Sequence, residues 1–343
     1  MSSRVAVIYN PISRAPGRNE SLSRRDIIRA AFGAHGVHPL WYETSEADPG
    51  YICAQQAVSR GVDVVVVAGG DGTVMSCAKA LIEASVPLAI VPSGTGNVIA
   101  SNLCLPTNVS DAIEVALQGH HQRIDVCIST VDCIFYSVSI GLTAAMMRDT
   151  TPKLKARLGM LAYALNAGRH LLDPPRKYSV WLDDQAPIVR WSHGVIVGNL
   201  GEVIVNPQCL QTGQDDGLIE VGVLRIRPVM DWVWRNRADR PSQRWPPVDW
   251  YQAKRIKVTC DKLQPSERDG EWVGWSSLLD IQVLARSLVV CVSNTTSAVA
   301  PRQSILSLVA QDLRRLRPTL PSWRSSPRRL SLNPVGAGTL VCR

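Results

Sequence analysis

The chain of 343 residues is long enough for two domains, because a single hydrophobic core rarely grows beyond about 250 residues. With 45% hydrophobic and 19% charged residues, its composition is that of a globular protein in which each domain buries a core. The segment 301–343 holds eight Arg and one Asp and so carries +7 of the net charge of +8, which disfavours nucleic-acid binding by the folded part.

The cysteines and the apolar stretches indicate the cellular compartment of the protein and its relation to the membrane. Nine cysteines are scattered without a C-x-x-C pair, which argues against a disulfide framework or a zinc site and for a reducing cytosol. The apolar segment 4–9 is too short for a signal peptide, and the longest apolar stretch, 133–147, falls short of the ~20 residues that span a bilayer. We therefore expect a cytoplasmic protein that contacts membranes only peripherally.

Strands and helices alternate over the first 130 residues, which predicts a doubly wound parallel sheet. Strands are predicted at 4–9, 38–43, 64–68, 87–91 and 123–128. Helical patterns are predicted at 20–34, 52–59, 74–82 and 111–117, with a further one after Asn97.

The most informative stretch is Gly69-Gly70-Asp71-Gly72-Thr73, which follows a strand of four valines and precedes a helical pattern. A glycine-rich turn that leads into a helix N-terminus presents backbone N–H groups to an anion such as phosphate. Because a carboxylate repels phosphate, Asp71 indicates a divalent cation between them. The alternative for this stretch alone is a tight turn with a solvated aspartate.

A second turn of similar kind, Pro92-Ser93-Gly94-Thr95-Gly96-Asn97, also joins a short apolar strand to a helical pattern. Loops at the ends of neighbouring parallel strands meet at the carboxyl edge of the sheet, where open α/β folds bind ligands. Neither loop is a P-loop, and Ile99 stands where a dinucleotide motif has its third glycine. The pair predicts a metal–nucleotide site of another kind.

Beyond residue 130 the pattern changes to a mostly antiparallel β domain, a sandwich or an open barrel. Its predicted strands are 133–140, 177–182, 188–198, 203–205, 218–224, 254–260, 279–284 and 288–292, and its predicted helix is 153–172. The expected domains are 1–130 for nucleotide, 131–293 for substrate, a helix at 294–320 that returns to the first domain, and a basic, disordered tail at 321–343.

Six motifs together resemble the diacylglycerol kinase catalytic-domain family, whose members include bacterial diacylglycerol kinases and sphingosine kinases. They are Asn10-Pro11-x-Ser13, the two glycine loops, Arg123-x-Asp125, Asp215-Asp216-Gly217-Leu218 and Asp269-Gly270-Glu271. The first glycine loop alone also occurs in NAD kinases, whereas the set of six is more specific. The resemblance implies a Rossmann-like domain followed by a β-sandwich, with ATP and Mg²⁺ as cofactors.

Phosphoryl transfer needs a phosphate cradle, a divalent cation and a group that accepts the proton of the attacking hydroxyl. The predicted nucleotide-binding residues are Asn10, Ser13, Gly69, Gly70, Gly72, Thr73, Gly94, Thr95, Gly96, Asn97 and Glu271. Asp71 is predicted to hold Mg²⁺ and to be catalytic, although a carboxylate at a helix N-terminus also suits the helix dipole. For Asn97, nucleotide binding and helix capping stay equally open.

By the resemblance, Asp269 is the general base that takes the proton of the lipid hydroxyl. The alternative is a plain Asp-Gly turn, which is common in β domains. The resemblance also implies a second metal held by Asp125, Asp215, Asp216 and Leu218, for which solvated or buried structural carboxylates are the alternatives. The residues Val98 and Ser101 depart from the family pattern of Asp and Arg, which bears on this acidic network.

Two regions have compositions suited to a lipid. Trp232, Trp234, Trp245 and Trp250 lie among four arginines in a Pro-rich stretch, as at a membrane interface, although packing on the sandwich explains them almost as well. A second basic-then-apolar element is predicted at 153–165, where it would line an acyl pocket. The Arg-rich tail adds attraction to an anionic membrane or is an extension without function.

The sequence therefore predicts an ATP-dependent lipid kinase that phosphorylates diacylglycerol at a membrane surface. The alternatives are a sphingoid-base kinase, an NAD-kinase-like enzyme and a nucleotide-binding regulator without catalysis. No nucleic-acid partner is expected, and the sequence leaves a homodimer open.

Overall fold

The computed structural model describes residues 4–13, 23–82, 84–94, 96–130, 132–170, 172–199, 215–224 and 248–294. The strands in these ranges are β1 Val5–Tyr9, β2 Leu40–Glu43, β3 Val64–Gly69, β4 Leu88–Pro92, β5 His120–Ser129, β6 Cys133–Ile134, β7 Ser137–Gly141, β8 Arg176–Leu182, β9 Ile188–Ser192, β10 Gly194–Gly198, β11 Ile219–Leu224, β12 Val248–Ala253, β13 Arg255–Arg268 and β14 Glu271–Val292. The helices are α1 Arg24–Ala34, α2 Tyr51–Ser59, α3 Asp71–Leu81, α4 Val98–Asn102, α5 Val109–Gln118, α6 Leu142–Asp149, α7 Pro152–Leu158 and α8 Met160–His170.

The N-terminal lobe, made of β1–β5 and α1–α5, contains a parallel sheet in the order β4-β3-β1-β2. The valines of β3 are buried on both faces because helices cover both sides of the sheet. Val65 and Val67 pack into the core on the side of α2 and α3, whereas Val64 and Val66 pack into the core on the side of α1 and α5. The predicted alternation of strands and helices is confirmed, but the strand predicted at 123–128 is wrong as a member of the parallel sheet, because β5 pairs antiparallel with β14 and β6.

The second lobe, made of β6–β13 and α6–α8, is antiparallel, with neighbouring strands in the order β12-β11-β10-β7-β13 and with β8 and β9 added on β13. Its core contains the fully buried side chains of Tyr178, Ile219 and Ile256. An α/β part followed by a mostly antiparallel β part is the fold class expected from the sequence.

Strand β14 joins the two lobes. Its first half pairs with β13, and its second half pairs antiparallel with β5 and, through Val290 and Leu88, parallel with β4. The strands predicted at 279–284 and 288–292 are thus one element with an irregularity between Leu284 and Leu288, where Arg286 adopts a positive φ of 53°. Leu288 and Val290 lie in the core of the N-terminal lobe.

Three helices of the second lobe differ from the sequence prediction. The helix predicted at 153–172 is divided into α7 and α8, with Gly159 at a positive φ of 57° between them. Helix α6 was not predicted, because its apolar residues continue those of β7 without a change in composition. The change of direction occurs at Gly141, whose φ is +100° and where a Cβ atom would lie 2.5 Å from the carbonyl oxygen of His193.

Several predicted features lie outside the described residues, namely the strand at 203–205, most of the helix at 294–320, the tail, Trp232, Trp234 and Trp245. Trp250 lies on β12 and packs against Gly222, where a Cβ atom would come within 2.9 Å of the indole. This agrees with the alternative that the tryptophan packs on the β domain. Across the described ranges, no helix combines the length and the hydropathy needed to cross a bilayer.

Candidate active site

The two glycine loops touch each other at the carboxyl edge of the parallel sheet. Loop one follows β3 and loop two follows β4, and these strands are neighbours. A Cβ atom on Gly94 would lie only 2.6 Å from the Cα atom of Gly70, so a side chain at this position forces the two backbones apart. The predicted convergence of the loops is therefore present in the structure.

The first loop ends in the N-terminus of α3. Gly70 is the N-cap residue, and no side chain there accepts a hydrogen bond from the N–H groups of the helix. The first N–H groups of a helix have no partner within the helix, so they face the space beyond this end. Asp71 is the first helical residue, and its Oδ1 accepts the N–H of Ile99 at 3.1 Å. This carboxylate thereby ties the first loop to the helix that follows the second.

The Asn10-Pro11-x-Ser13 turn reaches the same edge of the sheet. The Nδ2 atom of Asn10 donates to Thr73 Oγ1 at 2.9 Å, and the hydroxyl of Ser13 donates to the carbonyl oxygen of Ser93 at 2.8 Å. One turn after β1 thus holds both glycine loops. Thr95, which was also predicted to bind nucleotide, lies outside the described residues.

The side chain of Asn97 shapes the second loop. Its Oδ1 accepts the N–H of Gly94 at 2.8 Å and its Nδ2 donates to the carbonyl oxygen of Gly94 at 2.9 Å. Asn97 makes no side-chain cap to α4 and has the left-handed backbone conformation that asparagine tolerates. Among the described contacts, Asn97 closes its own loop and does not cap the helix.

Asp269 lies in the two-residue turn between β13 and β14, where Asp269 and Gly270 both have positive φ. This is the geometry that favours Asp-Gly in a tight hairpin. The side chain is nevertheless buried, with the residue only 9% exposed. Its Oδ1 accepts backbone N–H groups of Tyr136 at 2.8 Å, Ser137 at 3.1 Å and Phe135 at 3.2 Å.

Burial raises the pKa of Asp269 to about 6, although these backbone N–H groups and the charge of Arg268 act in the opposite direction. A carboxyl group in an apolar surrounding loses more solvation when it is ionised, so its proton affinity increases. At neutral pH the group is therefore mostly ionised and accepts a proton more readily than an exposed aspartate does.

Tyr136, a residue that the sequence did not single out, connects the two halves of the site. Its ring packs against the core of the N-terminal lobe, and its hydroxyl lies against Gly270 in the β13–β14 turn. The pKa of Tyr136 is raised, first by burial and then by the negative charges of Asp269, Glu267, Asp71 and Glu271. The charges of Asp71 in the N-terminal lobe and of Asp269 in the β13–β14 turn therefore both act on the hydroxyl of Tyr136.

Glu267, the second residue missed from the sequence, supports the Asp269 turn. Its Oε1 accepts the N–H of Gly270 at 2.8 Å, and its Oε2 accepts the hydroxyl of Ser139 at 2.6 Å. Burial raises the pKa of this 3% exposed glutamate to about 7, and the charge of Asp269 adds to the effect. The available signal was a second carboxyl group only two positions before Asp269.

These two buried carboxyl groups predict that stability falls as the pH rises. From the pH at which ordinary carboxyl groups ionise up to about pH 6 to 7, the folded state binds more protons than the unfolded state. The free energy of unfolding therefore decreases as the pH rises through this range. We expect Glu267→Gln to make the decrease between pH 5 and pH 7.5 shallower by about 2 kcal/mol. Urea unfolding at a series of pH values measures it.

The matched control for this experiment is Glu114→Gln on the exposed side of α5, whose stability should follow the wild-type curve. If the wild-type protein kept constant stability over this range, or if Glu267→Gln ran parallel to it, the buried carboxyl groups would not titrate as described.

The acidic stretch assigned to a second metal is organised around Asp125. Its Oδ1 accepts the N–H of Arg286 at 2.6 Å and its Oδ2 accepts the N–H of Gly217 at 2.7 Å, so this carboxylate anchors two backbone segments. Burial raises its pKa, and the nearby charges of Asp216 and Asp215 contribute. The described residues contain no group of three His, Cys, Asp or Glu side chains arranged to hold a metal.

Asp216 accepts the N–H of Leu218 at 2.9 Å, and Asp215 and Asp216 are exposed. The ligand roles of Asp125, Asp215, Asp216 and Leu218 remain predictions, since the segment 200–214 beside them lies outside the described residues.

The chain is similar to known proteins over most of its length. The protein-family model that describes the diacylglycerol kinase catalytic domain matches residues 4–128. A diacylglycerol kinase from Staphylococcus carnosus is 26% identical over 286 residues, which cover 80% of this chain and 90% of the relative. A Synechocystis protein is 25% identical over 68% of this chain and 56% of its own length.

A solved structure of a diacylglycerol kinase from Bacillus anthracis superimposes with a TM-score of 0.64 over 85% of this chain and 98% of that chain. Its identity of 21% establishes the fold alone. The "Probable lipid kinase YegS-like" protein of Pectobacterium atrosepticum is 30% identical over 210 residues, 58% of this chain and 69% of the relative. Together with the matched domain model, this relationship means that the chain belongs to the diacylglycerol kinase catalytic-domain family.

Proposed function

We propose that this protein is an ATP- and Mg²⁺-dependent lipid kinase that transfers the γ-phosphate of ATP to the hydroxyl group of diacylglycerol. The observation that carries the proposal is the contact between two glycine loops that follow neighbouring parallel strands, next to which Tyr136 feels the charges of both Asp71 and the buried Asp269. Family membership supports the reaction type, and the names of the relatives make diacylglycerol the first acceptor to test.

The loops fit a triphosphate because their glycines let the two backbones pack closely and because a helix start offers N–H groups to an anion. The contact between Gly70 and Gly94 leaves no room for a Cβ atom on Gly94, and the uncapped start of α3 directs N–H groups outward. Asn10 and Asn97 hold the loops in this shape through the hydrogen bonds described above. Binding of phosphate oxygens by such N–H groups needs no positively charged side chain.

A divalent cation fits at Asp71, whose Oδ1 is engaged by Ile99 while Oδ2 lies beside Gly96, 3.0 Å from where a Cβ atom would be. Carboxylate oxygens at such an edge are ligands that Mg²⁺ prefers. Mg²⁺ bound there supplies positive charge that offsets the charge of the phosphate oxygens. The role of Asp71 itself is to orient that charge between the two loops.

Asp269 is the proposed proton acceptor. The backbone N–H groups of Phe135, Tyr136 and Ser137 fix its carboxylate, and its pKa of about 6 lies close enough to neutrality for effective base catalysis. The acceptor hydroxyl would lose its proton to Asp269 as its oxygen attacks the γ-phosphorus and the bond to the β-phosphate oxygen breaks. Glu271, which is exposed at the start of β14, is proposed to contact the nucleotide.

Phosphate transfer from γ-labelled ATP to a panel of acceptors tests the proposal. Vesicles that contain diacylglycerol, vesicles that contain sphingosine, and soluble NAD are compared with and without Mg²⁺. We expect label in the diacylglycerol product alone and only with Mg²⁺. Label in sphingosine or NAD would change the substrate assignment, and ATP binding without transfer to any acceptor would contradict the kinase proposal. Sedimentation with the vesicles tests whether the protein acts peripherally at the membrane surface.

The contact between the loops predicts the effect of a single methyl group. Gly94→Ala should weaken ATP binding at least about tenfold, because the new Cβ atom displaces the backbone at Gly70. Isothermal titration calorimetry with an ATP analogue measures it. Gly33→Ala in α1 is the control, since nothing beyond the adjoining backbone of α1 lies within 4 Å of its Cβ position, and its affinity should equal that of the wild type. Equal affinity in both variants would exclude the loop contact from the binding site.

A further inference from the structure

Asp132, between β5 and β6, lies where the two lobes meet. Its Oδ1 lies 2.6 Å from Nζ of Lys79 on α3, and its Oδ2 lies 3.0 Å from Nη2 of Arg268 on β13. The N–H of Cys133 also donates to Oδ1 at 2.8 Å. The backbone is fixed as well, because Asp132 and Ser129 exchange hydrogen bonds across the turn.

This carboxylate is held in its ionised form. Burial alone would raise its pKa, but the hydrogen bonds from Lys79 and Cys133 and the charge of Arg268 outweigh burial, so that the pKa is lowered. The side chain is 24% exposed and that of Lys79 32% exposed. Partly buried pairs that share one carboxylate are screened less by solvent than isolated surface pairs are.

The two partners of Asp132 belong to the elements that carry the two proposed catalytic carboxylates. Lys79 lies on α3, the helix that begins at Asp71, and Arg268 immediately precedes Asp269. A shift of about 1 Å between reacting groups lowers a rate by up to about a hundredfold, so the distance between these elements matters for catalysis.

We propose that Asp132 is a positioning residue that links α3 to β13 and so fixes the nucleotide loops relative to the Asp269 turn. This inference rests on the proposed kinase function. Asp132 acts through Lys79 and Arg268 and does not touch the substrates.

The link also changes the charge around Asp269. Arg268 lowers the pKa of Asp269, and Asp132 offsets part of the charge of Arg268. Removing the negative charge of Asp132 should therefore shift the acid limb of the kcat–pH profile to lower pH. The other titratable groups that face Asp269 are those of Glu267, Tyr136, Cys127 and Cys133.

The experiment compares Asp132→Asn with Asp280→Asn in the full chain. Asp280 is a matched control because it has a similar exposure of 22% and pairs with Arg255 at 3.2 Å, but this pair joins β13 to the half of β14 beside it and does not reach α3. We expect Asp132→Asn to lower kcat about tenfold with a smaller change in the KM for ATP, and to shift the acid limb downward. Asp132→Glu should restore most of the rate, and Asp280→Asn should match the wild type.

A double variant tests the link to the first lobe. Lys79→Met should lower kcat as Asp132→Asn does, and Lys79→Met combined with Asp132→Asn should be no slower than Asp132→Asn alone. Lys79→Met removes only the contact between Asp132 and α3. If Asp132→Asn does not fold, the lower kcat expected of Lys79→Met still tests the proposal. Multiplying rate losses in the double variant would overturn the proposal.

Hydrogen–deuterium exchange supplies a measurement that is independent of activity. Asp132→Asn should increase exchange in peptides from both 71–82 and 264–272, and Asp280→Asn should leave 71–82 unchanged. If the wild type transferred no phosphate, the kinase proposal would fail while the exchange still decided the role of Asp132. Normal exchange and an unshifted pH profile in an active enzyme would overturn the role of Asp132.

Discussion

Asp269→Asn is expected to lower kcat by about 10²–10⁴-fold, because an amide cannot accept the proton that the acceptor hydroxyl releases. The backbone should tolerate the change, since asparagine also adopts the positive φ of 49° found here. The wild-type kcat should rise with an apparent pKa near 6, the value of the buried carboxyl group. Steady-state phosphate transfer to diacylglycerol between pH 5 and pH 8 measures both.

The control for Asp269→Asn is its thermal unfolding and its affinity for ATP, both of which should stay close to those of the wild type. A folded variant that binds ATP but has lost turnover would identify a chemical role. Nearly full turnover would mean that the carboxylate anchors the segment before β7 through its N–H bonds and that another group accepts the proton.

Asp71→Asn should also reduce kcat by about 10²–10⁴-fold, for a different reason. The Oδ1 atom of asparagine can still accept the N–H of Ile99, so the loops should keep their arrangement. The lost negative charge weakens cation binding, and we expect a higher Mg²⁺ concentration at half-maximal rate. A titration of the transfer rate with Mg²⁺ measures this shift.

Asp71→Asn and Asp269→Asn can be separated by their dependence on Mg²⁺. Asp269→Asn should retain the wild-type Mg²⁺ dependence at a lower rate, because its carboxylate belongs to the second lobe and not to the phosphate loops. An unchanged Mg²⁺ dependence in Asp71→Asn would contradict the assignment of the cation to Asp71.

The parts of the fold and the site that the sequence predicted have local signals. The valines of β3 and the glycines that follow specify a buried strand, a turn and a helix start within a dozen residues. The Asp269-Gly270 turn is local as well. Two such loops on adjacent strands were enough to predict their meeting, which the contact of Gly70 with Gly94 confirms.

The residues that the sequence missed act through contacts between distant parts of the chain. Tyr136 and Asp269 are 133 positions apart, and Ser139 and Glu267 are 128 apart. Such pairs depend on the register of β7 against β13, which no short pattern specifies. The role of Asp132 likewise exists only once α3 and β13 approach each other.

The most direct test of the account is a crystal structure of the protein with Mg²⁺ and a non-hydrolysable ATP analogue. The account predicts that the triphosphate lies against Gly70 and Gly94, with the cation at Asp71 and the γ-phosphate directed toward the Asp269 turn. A nucleotide bound elsewhere, or a triphosphate that touches neither loop, would contradict it.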